Sequence, residues 1–531
     1  MIELNKNGET AIQKQIYKII YNKVNLNFYN KEQLEAIKTI WGLSQNPKNK
    51  KSKTNAKSQK KIIDFGANLI EPIIGEMPND LKYKNEIPDS HQIFSGSVII
   101  GPPGTGKTVI IVEGSLLFIS KPQYSSSKKA VIFIATPNNE SAQRVLEGFH
   151  KFFDENQINN GSNYVKLIFP KKTRTDFEAH LRQYIIEHPR PKNYQEEEYK
   201  KLISRVWIFI GTVHQFIYLN QRYKINPQIV IFDEASQITP PMMFLPFIGN
   251  IRGFCLVGDN QQLPPITSFS ELSTNAIDFL LKRLSFGQQN LPNSRQITLK
   301  IQYRMHPAIR DLSTRLIPGR DIIQDGENTK ENNYLLDLSN KYNGLYFENI
   351  NEIINPNKTI IILNTSELSE AENHKSGTSR YNICEIEIIK GLVKLLKNAF
   401  NSFEKDDFLK IITPYRIQAD KLRTYYYKSG TADIFQGQEA DIAIISLTLT
   451  DTIPSPHIRD RNRLHVMFSR ARKKLIIIGN EDTFKSEETK ASHIKNIFQY
   501  KYDNESNPEL GYDPVYKLNI SQDFFDFLKN Q

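Results

Sequence analysis

Short apolar runs separated by amphipathic segments form the main pattern of this chain. Strand-like runs occur at 98–100, 129–136, 206–212, 229–232 and 254–257, and again at 359–363, 409–413, 443–447 and 475–479. Helical spacing fills several of the intervals, for example 382–398. Apolar strands that alternate with helices predict parallel sheets whose ligands bind at the carboxyl ends of the strands. The pattern therefore predicts an α/β fold with two sheet domains.

The pattern also predicts where these domains begin and end. The predicted parts are an N-terminal segment 1–29, a first domain 30–296, a second domain 297–485 and a polar C-terminal tail 486–531. Two insertions are expected in the first domain, at about 45–95 and about 150–205. The first contains a flexible basic loop at 46–61, because that stretch lacks apolar periodicity. The second is expected to be charged, mostly helical and to protrude from the sheet.

A glycine-rich segment follows the first strand and leads into a helical segment. Its residues are Gly101, Pro102, Pro103, Gly104, Thr105, Gly106, Lys107 and Thr108. This strand–turn–helix context is the one a P-loop requires, because the glycines let backbone N–H groups surround a phosphate chain. Lys107 is expected to reach the terminal phosphates, and the Thr108 hydroxyl to hold Mg²⁺. The segment predicts nucleotide binding.

Two carboxylates follow the strand at 229–232, where they can serve hydrolysis. Asp233 is assigned to Mg²⁺, and Glu234 to the general base that polarises the attacking water. After the next strand, Gln262 is placed to contact the γ-phosphate or the water. Near the start of the chain, Asn30 is a good N-cap, and Gln33 in the following turn has an amide able to pair with an adenine edge.

Taken in order, these motifs and those of the second half resemble the superfamily 1 helicases of the up-frameshift-like branch, subgroup B. The segments that carry the resemblance are the Gln33 segment, GPPGTGKT at 101–108, DEASQ at 233–237, GDNQQLPP at 258–265, QYRMHP at 302–307, TPYRIQ at 413–418, DIFQGQEAD at 433–441 and RLHVMFSRAR at 463–472. The resemblance covers roughly residues 30–480 and implies two tandem RecA-like domains. It also implies that ATP, with Mg²⁺, binds in a cleft between the domains.

The resemblance implies roles for residues of the second half. Tyr303 is expected to stack on the adenine and Glu439 to contact the ribose or nearby polar groups. Arg304 and Arg470 are expected to act as arginine fingers that neutralise transition-state charge. Gln262 matches the phosphate-sensing glutamine of the family.

The resemblance also implies a nucleic-acid interface. The residues expected to face the strand are Pro137, Asn139, Thr212, Thr413, Pro414 and Tyr415. Contacts of this kind hold phosphates and stack bases without reading sequence. For Thr212 and Tyr415, packing at a strand end is an equally strong interpretation. The expected function is an ATP-dependent helicase or translocase moving 5′ to 3′ on single-stranded RNA or DNA.

A second function remains open. An ATP-gated clamp would bind nucleic acid or protein, as a remodeller of ribonucleoprotein, with little or no duplex unwinding. Relatives often carry a β-barrel ahead of the Gln33 helix, and the segment that precedes it here does not predict one, which favours this alternative. A small-molecule kinase is disfavoured, because the second half carries arginine fingers rather than the signature of an acceptor pocket.

Composition agrees with these expectations. The formal net charge of +11 and the pI of about 9.1 permit a nucleic-acid partner, although an AT-rich coding bias would also supply lysine. The two cysteines, Cys255 and Cys384, form no zinc or disulfide pattern and predict a reducing, intracellular setting in cytoplasm or nucleus. No membrane partner is expected. The motor is expected to be monomeric, with possible protein partners at the tail or insertions.

Overall fold

The structure, a computed structural model, describes much of the chain. The described residues are 11–25, 28–42, 95–120, 131–170, 177–188, 196–248, 251–267, 274–286, 295–317, 323–330, 336–339, 348–368, 373–376, 379–426, 428–449, 456–484, 492–503, 510 and 512–531. The basic loop predicted at 46–61, and all of the insertion predicted at about 45–95 except its final residue, lie outside them.

Helices and strands alternate along most of the described chain. The helices are α1 Ala11–Asn25, α2 Lys31–Gly42, α3 Lys107–Ile119, α4 Asn139–Glu155, α5 Glu196–Arg205, α6 Val213–Tyr223, α7 Pro240–Phe244, α8 Ala276–Phe286, α9 Pro307–Arg315, α10 Glu327–Lys330, α11 Glu348–Ile354, α12 Ile383–Ala399, α13 Arg416–Arg423, α14 Ala432–Phe435, α15 Pro456–Arg459, α16 Arg461–Phe468, α17 Ser492–Phe498 and α18 Gln522–Asn530. Among these helices, none combines the length and apolar character needed to cross a membrane.

The strands complete the set of elements. They are β1 Ser95–Ile100, β2 Ile132–Thr136, β3 Val165–Pro170, β4 Ile185–His188, β5 Ile208–Thr212, β6 Ile229–Phe232, β7 Gly253–Gly258, β8 Arg295–Thr298, β9 Ile301–Gln302, β10 Gln324–Asp325, β11 Ile360–Asn364, β12 Asn373–Ser376, β13 Ser379–Asn382, β14 Leu409–Thr413, β15 Ser429–Thr431, β16 Ala440–Ser446, β17 Ala471–Gly479 and β18 Val515–Asn519.

The chain divides into two compact units. The first comprises residues 1–100, 107–260 and 264–299, and the second comprises 101–106, 261–263 and 300–531. Each unit contains a parallel sheet, so the predicted α/β fold with two sheet domains is confirmed.

The first unit is built on an eight-stranded sheet in the order β4-β3-β5-β2-β6-β7-β1-β8. All of its pairings are parallel. Along β2, Ile132 and Ile134 belong to one apolar cluster and Phe133 and Ala135 to another, because successive side chains point to opposite faces. Burial on both faces explains the continuous apolar runs of the central strands.

The segment at 150–205 differs from its predicted form. The structure places β3 and β4 here, and both strands belong to the main sheet. The prediction of a mostly helical, protruding insertion is therefore corrected for this part of the chain. These strands were hidden because Lys166 interrupts one apolar run and the other is only four residues long.

The second unit contains a six-stranded parallel sheet in the order β15-β14-β16-β17-β11-β18. Two small ribbons accompany it, parallel β9–β10 and antiparallel β12–β13. The edge strand β18 comes from the segment predicted as a polar tail at 486–531. Its exposed Lys517 and Asn519 alternate with more buried residues, which gave the edge strand a polar appearance in the sequence.

Candidate functional site

The glycine-rich turn has the backbone geometry of a phosphate-binding loop. It runs from the end of β1 to Lys107, the first residue of α3. Gly104 and Gly106 have φ angles of +79° and +87°, a left-handed conformation that glycine adopts without steric cost. Thr105 Oγ1 donates to Pro102 O at 2.8 Å and closes the turn. The α3 N-terminus, with Lys107 and Thr108, is therefore preceded by a curled backbone suited to an anion.

The carboxylate pair follows β6 in the first unit, as the sequence predicts. Asp233 N donates to Ala135 O at 2.9 Å, and each carboxylate residue is 7% exposed. Burial and the neighbouring Glu234 raise the pKa of Asp233, whereas the positive charges of Lys107 and Arg144 act in the opposite direction. The pair is thus held in a desolvated setting beside the lysine of the loop.

Glu234 has two unusual features. Its φ of +49° places a non-glycine residue in the left-handed region, which costs conformational energy. Its Oε2 is buried and has no hydrogen-bond partner among the described residues. A buried carboxylate oxygen without a donor is able to accept a hydrogen bond from a water molecule. The carboxylates of Asp233 and Glu234 therefore suit a site that binds water and Mg²⁺–nucleotide.

The Gln33 side chain also takes part in a helix cap. Asn30 Oδ1 accepts from Gln33 N at 2.8 Å, and Gln33 Oε1 accepts from Asn30 N at 3.2 Å. This reciprocal capping box confirms Asn30 as the N-cap of α2. The helix packs closely on α3, where a Cβ added to Gly114 would approach Ile40 within 3.0 Å. The contact fixes Gln33 relative to the helix that carries Lys107.

A buried glutamine shapes the loop that contains Tyr303 and Arg304. Gln302 is fully buried; its Oε1 accepts from Arg304 N at 2.8 Å and Met305 N at 2.7 Å. Its Nε2 donates to Met305 O and to Asp325 Oδ1, both at 2.7 Å. Asp325 also receives the Arg310 guanidinium, with Nη2 at 2.6 Å from Oδ2. Asp325 lies outside the predicted site residues, since nothing in its local sequence pattern signals these two partners.

The same loop contacts the glycine-rich turn. Tyr303 N donates to Gly104 O at 2.8 Å, and a Cβ on Gly104 would lie 2.6 Å from Arg304 Cβ. The Tyr303 ring lies against Gly326, where an added Cβ would meet Cδ1 at 2.5 Å. The structure therefore brings Tyr303 and Arg304 to the glycine-rich turn.

Arg304 forms an ion pair with Glu439. Arg472 Nη1 also approaches Glu439 Oε1 at 3.4 Å. Arg304 and, to a smaller extent, Arg472 hold the pKa of Glu439 below its usual value. The ribose contact predicted for Glu439 stays a prediction, because in this structure the carboxylate is occupied by arginines.

Arg470 is 1% exposed and is held largely by backbone oxygens. Nε donates to Val466 O at 2.7 Å, and Nη1 donates to Gln438 O at 3.0 Å. Nη2 donates to Ser469 Oγ at 2.8 Å. Gln262 is also buried, and its Oε1 accepts from Gln436 Nε2 at 3.4 Å. Arg470 and Gln262 are therefore both buried, and both take part in hydrogen bonds within the protein.

Part of the predicted nucleic-acid interface lies together at one sheet edge. Strands β2 and β5 are neighbours, and Thr136 pairs with Thr212 at their carboxyl ends. Pro137 follows Thr136 directly, and Asn139 is the first residue of α4. Gln215 links the two sides, because Oε1 accepts from Thr212 N at 2.5 Å and Nε2 donates to Asn139 Oδ1 at 3.2 Å. The N-termini of α4 and α6 therefore lie side by side.

The other part of that interface is mostly buried. Thr413 is 0% exposed and Tyr415 is 2% exposed, with the tyrosine ring inside an apolar cluster; Pro414 is only partly buried. This corrects the expectation that Tyr415 faces a strand, since a ring inside the core cannot stack on a base. Packing, the alternative interpretation, explains its position.

A buried carboxylate that sequence analysis missed supports these strand ends. Glu385 accepts from Thr448 N at 3.0 Å and from Ser446 Oγ at 2.5 Å, and Thr448 Oγ1 lies 3.0 Å from Thr413 Oγ1. Burial raises the pKa of Glu385 to about 8. The spacing of Asn382 and Glu385, an N-cap and a glutamate three residues later, is the signal that could have drawn attention to it.

Comparison with known proteins agrees with the motif order. Two family models, both described as AAA domain, match residues 83–206 and 190–271 in one case and 278–482 in the other. DNA polymerase alpha-associated DNA helicase A of Saccharomyces cerevisiae is 25% identical, over 85% of this chain and 74% of the relative. DNA replication ATP-dependent helicase/nuclease dna2 of Schizosaccharomyces pombe is 26% identical, over 80% of this chain and 29% of the relative.

Helicase sen1 of Schizosaccharomyces pombe is 32% identical, over 52% of this chain and 16% of the relative. The chain thus spans about three quarters of the first relative and less than a third of the other two. Together the family models, the relatives and the ordered motifs confirm the predicted family. The chain belongs to the superfamily 1 helicases of the up-frameshift-like branch.

Proposed function

We propose that the chain is an ATP-dependent helicase or translocase that moves 5′ to 3′ along single-stranded RNA or DNA. One observation carries the hydrolytic part of the proposal: the buried Glu234 oxygen that lacks a partner among the described residues, next to Asp233 and the Lys107 charge. A carboxylate so placed suits the activation of water beside a phosphate chain. Family membership supports the same activity.

The residues around the glycine-rich turn would share the work of hydrolysis. Thr108 and Asp233 would hold Mg²⁺, which supplies charge neutralisation on the phosphates when it is bound. Lys107 and the turn's backbone N–H groups would hold the phosphates, and Glu234 would accept a proton from the attacking water. Gln262 would contact the γ-phosphate or that water.

The residues of the 302–305 loop would contact the nucleotide at its base and phosphates. Tyr303 would stack on the adenine, whose edge Gln33 would read. Arg304 would exchange its ion pair with Glu439 for one with the γ-phosphate. The carboxylate and the phosphate are both anions that a guanidinium binds through paired donors. Arg470 would supply a second positive charge. An exchange of Arg304 between Glu439 and phosphate would make turnover depend on the bound nucleotide.

The strand would bind where two helix N-termini lie side by side. Gln215 links Asn139 to Thr212, which supports placing the strand at the paired N-termini of α4 and α6. Helix N-termini attract phosphate oxygens without reading bases. Thr413 and Tyr415 would act indirectly, by holding the strand end that carries Pro414.

ATP turnover with and without single-stranded DNA or RNA tests this proposal. We expect stimulation by at least one of them, and we expect Glu234→Gln to lower kcat about 100-fold or more while ATP still binds. Glu155→Gln, an exposed change on α4, serves as the matched control and should leave kcat unchanged. Absence of stimulation by both nucleic acids, or normal turnover in Glu234→Gln, would contradict the proposal.

Strand displacement with 5′ or 3′ overhangs tests direction. Displacement that needs a 5′ overhang supports the proposed movement, whereas stimulated turnover without displacement indicates the clamp. Binding of RNA and DNA compared at matched salt identifies the preferred strand, because phosphate contacts make affinity strongly salt-dependent.

A further inference from the structure

The second unit contains a cavity whose function no motif explains. Its volume is about 420 Å³, within the range of small-molecule sites. Its walls come from α9, the start of α16, α17 and the residues that follow α17. Leu312, Leu316 and Ile497 form its apolar surface. None of the residues assigned above to the nucleotide or to the strand is among its lining residues.

Positive charge dominates the polar part of the lining. Arg315, Arg461 and Lys501 line the cavity, and no carboxylate is among the lining residues that the structure describes. Arg315 is held in place: Nε lies 2.9 Å from Asp311 Oδ2, and the guanidinium lies 5.2 Å from the Tyr500 ring centroid. Arg461 Nη1 donates to Leu316 O at 3.4 Å. These contacts fix two cationic groups at the cavity wall.

A buried histidine adds a polar atom to the same cavity. His493 is 7% exposed, and its Nε2 is buried without a hydrogen-bond partner among the described residues. Burial and the positive charge of Arg461 lower the pKa of His493 to about 4, so the ring is neutral at pH 7. A neutral imidazole can donate one N–H, and a buried N–H without an acceptor destabilises the folded chain. An oxyanion in the cavity would remove this cost.

We propose that this cavity binds a phosphate group through Arg315, Arg461, Lys501 and the His493 N–H. Arginine matches the oxygens of phosphate with paired donors, and lysine adds a point charge. The apolar wall accommodates the remainder of a small phosphorylated molecule. The same donors suit a phosphodiester of a nucleic-acid strand. The phosphate group could therefore belong to a small phosphorylated molecule or to a nucleic-acid strand. The site is independent of ATP hydrolysis at the glycine-rich turn.

Calorimetric titration of the full chain with inorganic pyrophosphate tests the proposal. All proteins in the series carry Lys107→Ala, which weakens phosphate binding at the glycine-rich turn. We expect binding to this background and about 10-fold weaker binding after Arg461→Gln or Lys501→Gln. His493→Ala should also weaken binding, whereas His493→Gln, which keeps an N–H donor, should restore most of it. Lys495→Gln, on α17 but outside the lining, is the matched control and should change nothing.

Pyrophosphate affinity that is equal in all these variants, or no binding to the Lys107→Ala background, would overturn the proposal. Lys501→Gln keeps the test informative if Arg461→Gln does not fold, because Lys501 is exposed. Competition between pyrophosphate and a short thymidine oligonucleotide, lost in Lys501→Gln, assigns the cavity to a strand phosphodiester. Pyrophosphate binding that the oligonucleotide does not affect assigns it to a small phosphorylated molecule.

Discussion

At the scale of single residues, Arg304 and Arg470 carry the same charge in different surroundings. Arg304 has a side chain 19% exposed and an ion pair with Glu439. Arg470 is 1% exposed, and backbone oxygens accept from two of its nitrogens. A lysine at position 304 would keep the charge that pairs with Glu439, whereas each buried donor of Arg470 that loses its acceptor costs about 1–3 kcal/mol. Arg470 therefore supports folding more than Arg304 does, and the role of both residues in hydrolysis stays a prediction.

Replacement of each arginine by lysine separates these roles. We expect Arg470→Lys to lower the free energy of unfolding by about 2–4 kcal/mol, because an ammonium cannot reach the same set of oxygens. Arg304→Lys should cost less, because the lysine keeps the charge that pairs with Glu439. Both should reduce ATP turnover. Urea unfolding and steady-state turnover measure the two effects, and equal losses of stability in both variants would contradict the distinction.

At the scale of elements, the C-terminal helix α18 packs tightly on α12. Gly391 lies within α12, and a Cβ added to it would be 2.4 Å from Leu528 O. Phe524, Phe525 and Leu528 on α18 are each at most 2% exposed and belong to an apolar cluster of the second unit. The close approach requires glycine because the neighbouring atom is backbone and has little freedom to move.

Gly391→Ala tests this contact, because the change should lower the free energy of unfolding if the helices pack closely and raise it if they do not. In an unconstrained helix the change stabilises by about 1 kcal/mol, since glycine is the poorer helix former. Here we expect a loss of about 1–3 kcal/mol from overpacking. Lys394→Ala, exposed on the same helix, should stay within about 0.5 kcal/mol of the parent. Chemical denaturation gives both values, and a stabilised Gly391→Ala would show that the helices separate easily.

At the scale of the whole molecule, sequence patterns predicted the sheets and the glycine-rich turn but not the surroundings of several side chains. Central strands bury both faces, so isoleucine runs such as Ile360–Asn364 are visible in sequence. The edge strand β18 is half exposed, so its sequence pattern resembles that of a polar tail. The burial of Tyr415 and the backbone oxygens around Arg470 depend on contacts distant in sequence, and no local pattern reports such contacts.

The second unit should lose stability at acidic pH because of a buried histidine, His306. His306 is 3% exposed; its Nδ1 accepts from Ala308 N at 3.2 Å, and its Nε2 lies 3.1 Å from the Tyr512 hydroxyl. Burial lowers the pKa of His306 from 6.5 to about 4. In the unfolded chain the histidine binds a proton near pH 6.5, whereas in the folded chain it does so only near pH 4. The free energy of unfolding therefore falls as the pH drops from about 6.5 to about 4.

This histidine alone should remove about 2 kcal/mol of stability between pH 7 and pH 5. His306→Asn keeps a side-chain acceptor for the Ala308 N–H but does not titrate, so its unfolding free energy should fall by that much less over the same interval. Urea unfolding of both proteins at the two pH values measures the difference, with groups common to both cancelling. Parallel losses in the two proteins would mean that His306 takes up its proton in the folded state near its ordinary pKa, and that the cap tolerates the charge.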